Sequence, residues 1–441
     1  MSSAFRSFKV YNYRLWFAGA TVSNVGTWMQ RIAQDWIVLT MLTHQDAAAV
    51  GVTSALQFGP QLLLTPLTGL VADRFDRRKV LIATQSAMGA LALGLGLLTI
   101  TGVVQLWMVY AFALLLGCAS AFDAPVRQTF VSSLVPQALL PNAVGLNAMS
   151  FNTARLIGPA LAGFLVAAVG SGWVFLLNAV TFGATLGALF LFRTTELVTQ
   201  HPPARARGQI REGLSYVAQR SDLVLLFVMI FLMGTIGVNF PIFSSTMARV
   251  AFHQGASEFG LLNTAFAVGS IVGSLLAARR ERARLRTVAI AAAGFGIAMI
   301  AAAGMPTFWS FALVLPLVGV TAITMMNNAN AYVQTTTAPA LRGRVMSLYL
   351  AVFLGGTPIG APLVGAIVNA FGPRWGVAAG SLGGLIPAAI AVVWWLLHRR
   401  AAVRPEPIEI APAAEQPSSA EAHRELATTE IAVVETEVSK T

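Results

Sequence analysis

The chain has 441 residues, of which 56% are hydrophobic and only 11% charged, with a net charge of +11. Soluble proteins carry about 25% charged residues, and no soluble core could hide this much apolar surface, so the composition excludes a water-soluble module and points to the bilayer. The positive charge sits in short clusters between long apolar runs, which excludes a nucleic-acid-binding face and suits membrane loops held on one side.

In chain order, apolar runs long enough for a hydrocarbon core of about 30 Å predict an all-α membrane protein of about twelve spans. The first six cover 15–41, 50–72, 80–100, 106–122, 144–168 and 173–192. The second six cover 223–247, 259–277, 287–303, 308–331, 345–370 and 377–397. The amino-terminal stretch has no short apolar core with a cleavage site, so the first run is expected to be a span and not a signal peptide. The single cysteine, Cys118, lies inside the fourth run, which gives no disulfide framework and no cysteine metal site.

Basic residues set the expected orientation. Arg6, Lys9, Arg14, the cluster 74–79, Arg127, the stretch 193–220, the cluster 279–286, Arg342, Arg344 and the tail from Arg399 fall on one side. Arg249 and Arg374 fall on the other. That asymmetry, like the even number of spans, predicts both termini in the cytoplasm, and the scarcity of lysine beside arginine hints at a bacterial source and so at its inner membrane. The expected organisation is a six-helix half over 1–192, a central loop over 193–222, a second six-helix half over 223–398 and a disordered tail over 399–441. Within the loop, Ile210, Leu214 and Val217 recur at helical spacing, predicting a short amphipathic helix on the membrane surface.

The two halves echo each other. Leu70-x-Ala72-x-Arg74-x-Asp76-Arg77-x-Lys79 matches Leu275-x-Ala277-x-Arg279-x-Glu281-Arg282-x-Arg284, and Gly158-Pro159-Ala160-Leu161-Ala162-Gly163 matches Gly360-Ala361-Pro362-Leu363-Val364-Gly365. Two related halves predict a substrate cavity between them near the bilayer midplane.

Arg31 and Asp35 lie in the first span, four residues apart on one helical face. Left unpaired at the bilayer centre each would cost roughly 2.5–3.5 kcal/mol, so they are expected to neutralise each other and point into the bundle. Asp35 is the candidate proton-coupling carboxylate, with a static ion pair as the alternative. Arg155 in the fifth span is the second candidate, either drawing an anionic or phenolic substrate, countering Asp35, or packing. Trp28, Phe151, Phe240 and Phe266 are candidates for an adaptable apolar wall. Polar candidates for the cavity include Asn24, Gln30, Gln34, Gln57, Asn147, Asn152, Asn239, Asn263, Asn327 and Asn328. Trp107, Trp173, Trp309 and Trp375 fall at span ends, where tryptophan prefers the interface.

The loop Gly69-Leu70-Val71-Ala72-Asp73-Arg74-Phe75-Asp76-Arg77-Arg78-Lys79 resembles the signature loop of the major facilitator superfamily, with Asp76 in place of its second glycine. The resemblance implies a cytoplasmic gate involving Gly69, Asp73, Arg74, Arg77, Asp123 and Arg127. Asp73 would sit near the amino-terminal end of the eleventh helix, where the dipole favours a carboxylate, and Arg77 would pair with Asp123. Gly145, Ala154, Gly158, Pro159, Ala162 and Gly163 fall at the spacing of the proline–glycine motif of superfamily antiporters, although two of its glycines are alanines here. Its physical sense is close helix packing, with proline bending the helix.

Ala121-Phe122-Asp123-Ala124-Pro125-Val126-Arg127-Gln128, Trp28-Met29-Gln30-Arg31-x3-Asp35-Trp36 and Leu341-Arg342-Gly343-Arg344-Val345 resemble the branch containing the enterobactin exporter and macrolide-efflux-like relatives. That resemblance implies a proton-coupled exporter, an antiporter, of a small amphipathic compound such as a siderophore or drug, working by alternating access. Many superfamily antiporters carry a membrane arginine in the fourth span, but the run 106–121 holds no charge, so no coupling role transfers there. The sequence has no Gly-x4-Gly-Lys-Ser/Thr loop, nucleophile–base set or metal-ligand cluster, so neither an enzyme nor a cofactor is expected. The expected partners are a small-molecule substrate, protons and lipid, with the chain a monomer. Proton-coupled metabolite uptake and a non-transporting scaffold or sensor are the alternatives.

Overall fold

The computed structural model describes residues 3–197, 209–278, 283–339 and 341–398. It forms two compact units, Met1–Val393 and Trp394–Thr441. Of the second, residues 394–398 are described, where the Trp394 ring stacks on His398 at 4.5 Å. The basic residues Arg279, Arg280 and Arg282, the segment 198–208 and the tail 399–441 lie outside the described residues.

Among the described residues every regular element is helical. The order is α1 (Tyr11–Ile37), α2 (Ala47–Arg74), α3 (Arg77–Ile100), α4 (Leu106–Leu134), α5 (Leu140–Val169), α6 (Ser171–Phe190) and α7 (Gln209–Ala218). Then follow α8 (Ser221–Leu232), α9 (Phe240–Thr246), α10 (Ala256–Ala278), α11 (Leu285–Gly304), α12 (Phe308–Thr336), α13 (Arg342–Phe371) and α14 (Pro373–His398). Eleven segments are long and apolar enough to cross a membrane, α8 and α9 counting as one. α1, at 27 residues, is long enough to cross as well, but Asn24, Gln30, Arg31, Gln34 and Asp35 make it less apolar than those eleven.

Two elements depart from the expected spans. α4 continues past Asp123 and Pro125 to Leu134, beyond the apolar run that marked it. The seventh span is discontinuous: α8 passes into a π-helical turn at Met233–Gly237, breaks at Val238 and Asn239, and resumes as α9. Gly234, Gly237, Asn239 and Pro241 crowd this break, and glycine and proline weaken a helix interior. π-Turns are rare and concentrate at functional positions.

The spans alternate between two ends. At the basic end α2 meets α3, α4 meets α5, and α12 meets α13. At the far end α1 meets α2, α9 meets α10, and α13 meets α14. Arg249 and Arg374 both lie at the far end, and Arg374 donates to the carbonyls of Ala303 and Met305. Asp76, where the family signature has glycine, caps α3 by accepting from the Lys79 amide at 3.1 Å, with φ −57°. An ordinary aspartate cap therefore makes the turn, and no left-handed residue is needed.

Small residues set the helix crossings, as expected where lipid offers no hydrophobic gain for association. A Cβ on Gly117 of α4 would stand 2.7 Å from the Leu56 carbonyl of α2, and Gly269 of α10 meets Pro316 of α12 more closely still. Between the halves, α2 packs on α13 and α5 on α10. At the far end Gly51 meets Ala361, Gly365 meets Ala47, and Gly163 meets Gly260, backbone against backbone. Asp46 caps α2 through the Ala48 and Ala49 amides and accepts from Asn369 Nδ2 at 2.6 Å, tying α13 to the start of α2.

The amphipathic helix expected around Leu214 is α7, and it packs on protein as well as presenting an exposed apolar face. Gly213 packs on Arg344 and Leu348 of α13, Glu212 pairs with Arg344, and Val217 is buried. Leu214 stays 58% exposed, and the side chain of Ile210 lies outside the described residues.

Candidate functional site

A cavity of about 210 Å³ lies between the two halves of the helix set. α1, α2 and α5 contribute Trp28, Ile32, Ser54, Phe58, Arg155 and Pro159. The opposite wall includes the broken seventh span, from Met233 through Ile242, together with residues of α10–α13. Phe240 and Phe266 stack there with centroids 4.1 Å apart. Asn239 donates to the Thr235 and Ile236 carbonyls at 2.7 and 3.2 Å, satisfying backbone groups freed by the helix break. Asn263 donates likewise to Phe259 at 2.8 Å.

Of the aromatic candidates, Trp28, Phe240 and Phe266 line the cavity. Phe151 does not; it meets Trp28 edge-on at 6.2 Å and is 46% exposed. Asn239 and Asn263 are lining residues, whereas Gln30 serves packing by accepting from Asn178 at 2.6 Å, and Gln34 donates to the Val109 carbonyl. Trp107, Trp173, Trp309 and Trp375 are all more than half exposed at span ends.

Arg31 and Asp35 feel each other's charge without closing into the hydrogen-bonded ion pair expected of them. The Arg31 guanidinium lies 5.1 Å from the Trp28 ring and 4.6 Å from the Phe58 ring and is not itself a lining residue of the cavity. Such a desolvated cation–π contact contributes about 2 kcal/mol, which competes with the local carboxylate. Arg31 Nε and Asp35 Oδ1 are buried without hydrogen-bond partners, and Asp35 is 3% exposed. Arg155 is the one charged side chain among the described lining residues, and no hydrogen bond or ion pair joins it to a described residue.

The gate residues separate into two groups. Asp123 is 4% exposed and accepts from Thr84 at 2.9 Å, from Gln85 at 2.7 Å and from Arg127 at 2.8 Å. Arg127 also donates to Asn24 at 3.3 Å, which joins α1, α3 and α4 in one polar cluster. Arg77 is not part of it: its guanidinium reaches the Thr129 carbonyl and Ser133 instead. Arg77 opens α3, whereas Asp123 faces Thr84 two turns further on, about 10 Å along the axis, and Arg127 already holds the carboxylate from one turn away. Arg74 is exposed; the surroundings of Gly69 and the side chain of Asp73 lie outside what is described.

The fifth-span motif packs at its centre and far end only. A Cβ on Gly158 would stand 2.6 Å from Trp28 Cβ, Pro159 lines the cavity, and Gly163 meets Gly260. Gly145 faces open space with nothing within 4 Å of a Cβ, so it is not a packing glycine. It lies in the basic-end part of α5, away from the far-end crossing with α10.

The sequence reading passed over Phe58, Met233, Phe353 and Thr357 as cavity residues, because an apolar or small residue in an apolar helix carries no mark of the face it uses. The helix break did leave a signal in Gly234, Gly237, Asn239 and Pro241.

The chain matches the family model for transmembrane secretion effectors over residues 2–420. It is 23% identical to the staphyloferrin A transporter of Staphylococcus aureus over 88% of this chain and 96% of that protein. It is 26% identical to the multidrug efflux pump Tap of Mycobacterium tuberculosis over 77% of this chain and 83% of the pump. Macrolide efflux protein A of Streptococcus pyogenes is 23% identical, over 86% and 94% of the two chains. In fold, the chain is similar to a bacterial homolog of the human lysosomal transporter Spinster solved facing inward, with TM-score 0.70 at 16% identity over 92% of this chain and all of that one. The nucleoside transporter NupG follows at TM-score 0.63, with 14% identity over 88% of this chain and 98% of NupG. Helices, cavity and family match agree: this multi-pass membrane protein belongs to the transmembrane secretion effector family of major facilitator transporters.

Proposed function

We propose that the chain exports small amphipathic compounds from the bacterial cytoplasm across the inner membrane by alternating access, driven by proton entry. The observation that carries this reading is the cavity between the halves, mostly apolar and aromatic, with a few neutral polar residues and one guanidinium. Such a wall holds a molecule by area and adaptable contacts, which suits substrates of the kind named for the efflux relatives. The basic end is taken as cytoplasmic by the charge asymmetry.

The far-end crossings of α2 with α13 and α5 with α10 would part to release substrate outward, while the basic end closes. Gly158, Pro159 and Gly163 give α5 the small surface and bend this movement needs. Asp35 is the coupling carboxylate in this reading. It lies one turn beyond the wall residue Ile32 and has an oxygen without a partner, so a proton arriving from the far end would neutralise a buried charge.

The test is transport of an amphipathic dye in proteoliposomes under an imposed pH gradient, with wild type beside Asp35→Asn. Gradient-driven movement that Asp35→Asn abolishes is expected. Equal movement with and without the gradient would refute proton coupling, and greater dye accumulation in intact expressing cells would establish uptake in place of export.

A further inference from the structure

We infer that the cavity selects an anionic aromatic amphiphile, a ring system bearing one carboxylate, sulfonate or ionised phenol, over cationic and neutral analogues. This rests on the proposed function only in taking this cavity as the substrate site.

The charge around the cavity is one-sided. Arg155 stands on the wall with no described carboxylate, hydroxyl or carbonyl engaging it. A guanidinium facing an apolar cavity without a counter-charge is expensive to bury, and a ligand anion removes that cost. Arg31 contacts the rings of Trp28 and Phe58, which line the same space, but Asp35 on its own helix offsets its charge, so Arg155 is the uncompensated cation of the wall. The one nearby acid along α1, Asp35, is 3% exposed and is not a lining residue, so a ligand cation would meet no carboxylate.

The neutral polar residues refine the class. Asn239 commits its Nδ2 to two helix carbonyls, so its amide oxygen is what remains for a ligand, while Asn263 commits one of its two N–H donors to the Phe259 carbonyl. An amide oxygen accepts, so a hydroxyl on the ring would gain a bond that a second carboxylate could not. The stacked pair Phe240–Phe266 and the Trp28 ring supply flat apolar surface for the aromatic body.

Three probes share a ring system and differ in charge: 2-naphthoate, 2-naphthalenemethanol and 2-naphthylmethylammonium. Their binding to the full chain in lipid nanodiscs would be measured by titration calorimetry against empty nanodiscs. The expected order is naphthoate tightest by roughly tenfold over the alcohol, with the ammonium weakest. Arg155→Gln is expected to remove the preference for the anion and Arg155→Lys to keep it. The inference is overturned if the alcohol or ammonium binds as tightly as naphthoate, if the preference survives Arg155→Gln, or if none of the three binds above empty nanodiscs. Each of these results leaves gradient-driven dye export standing, and failure of the dye assay leaves the binding order standing, so the two readings fail separately.

Discussion

At the residue scale, the buried polar groups are settled by who reaches them first. Asp123 is held by Arg127, Thr84 and Gln85, and removing the carboxylate would leave the largely buried Arg127 guanidinium without its counter-charge and the Gln85 amide without this acceptor. Asp123→Ala is therefore expected to cost about 3–5 kcal/mol, read as a lower unfolding midpoint in detergent. A double-mutant cycle separates the observed pairing from the one the family signature implies. Asp123 and Arg127 should couple strongly, while Asp123 and Arg77 should be additive within about 0.5 kcal/mol. The residues were legible in the sequence; their partners were not, because Arg77 and Asp123 sit on different turns of helices whose register is set only by packing. Arg31 shows the same limit, since its i,i+4 carboxylate was visible and the Phe58 ring of another helix was not.

At the element scale, the far end is closed by contacts that leave no room for a side chain. Gly360 of α13 lies against the Thr235 carbonyl at the π-turn of the seventh span. Gly360→Leu is expected to hold α13 away from that turn and bring transport to background while helical content by circular dichroism is unchanged. Asp46 offers a finer handle, since its carboxylate both caps α2 and bonds Asn369. Asp46→Ala removes a cap interaction of about 1 kcal/mol and the tie to α13. Spin labels on the far ends of α2 and α13 should then show a larger population at long separation; an unchanged distance distribution would assign Asp46 to helix capping alone. Helix existence and approximate length were readable from the apolar runs, although α4 extends to Leu134, past its own run. The break in the seventh span was signalled by its glycines and Pro241 but masked by an apolar run long enough to cross.

At the scale of the whole molecule, the central loop is tied to the second half of the chain. Glu212 pairs with Arg344, Arg220 binds Asp222 and the Thr336 carbonyl, and Tyr332 donates to Asp222 at 2.7 Å. Arg344→Glu is expected to release α7 and hasten proteolytic cleavage within α7, with Glu212→Arg restoring protection. Truncation after Arg400 is expected to leave dye transport at most of its wild-type rate, because the described cavity and crossing residues all precede it. Loss of transport in that truncation would favour a signalling role for the tail.

Sequence by itself determined that this chain lives in a bilayer as twelve spans in two similar halves, because hydrophobic length, charge asymmetry and internal repetition are properties of the chain read one residue at a time. It also marked Asp35, Arg155 and the fifth-span glycines as unusual, since a charge or a glycine cluster in an apolar run is conspicuous without coordinates. Tertiary structure alone decided which face each of them uses. Arg155 lines a cavity with no acid beside it, Asp35 lies behind the wall, Gly163 meets a backbone and Gly145 meets nothing. In a helix apolar on every side, rotation about the axis is fixed by close packing with neighbours rather than by an amphipathic pattern, and that information exists only once the helices are together.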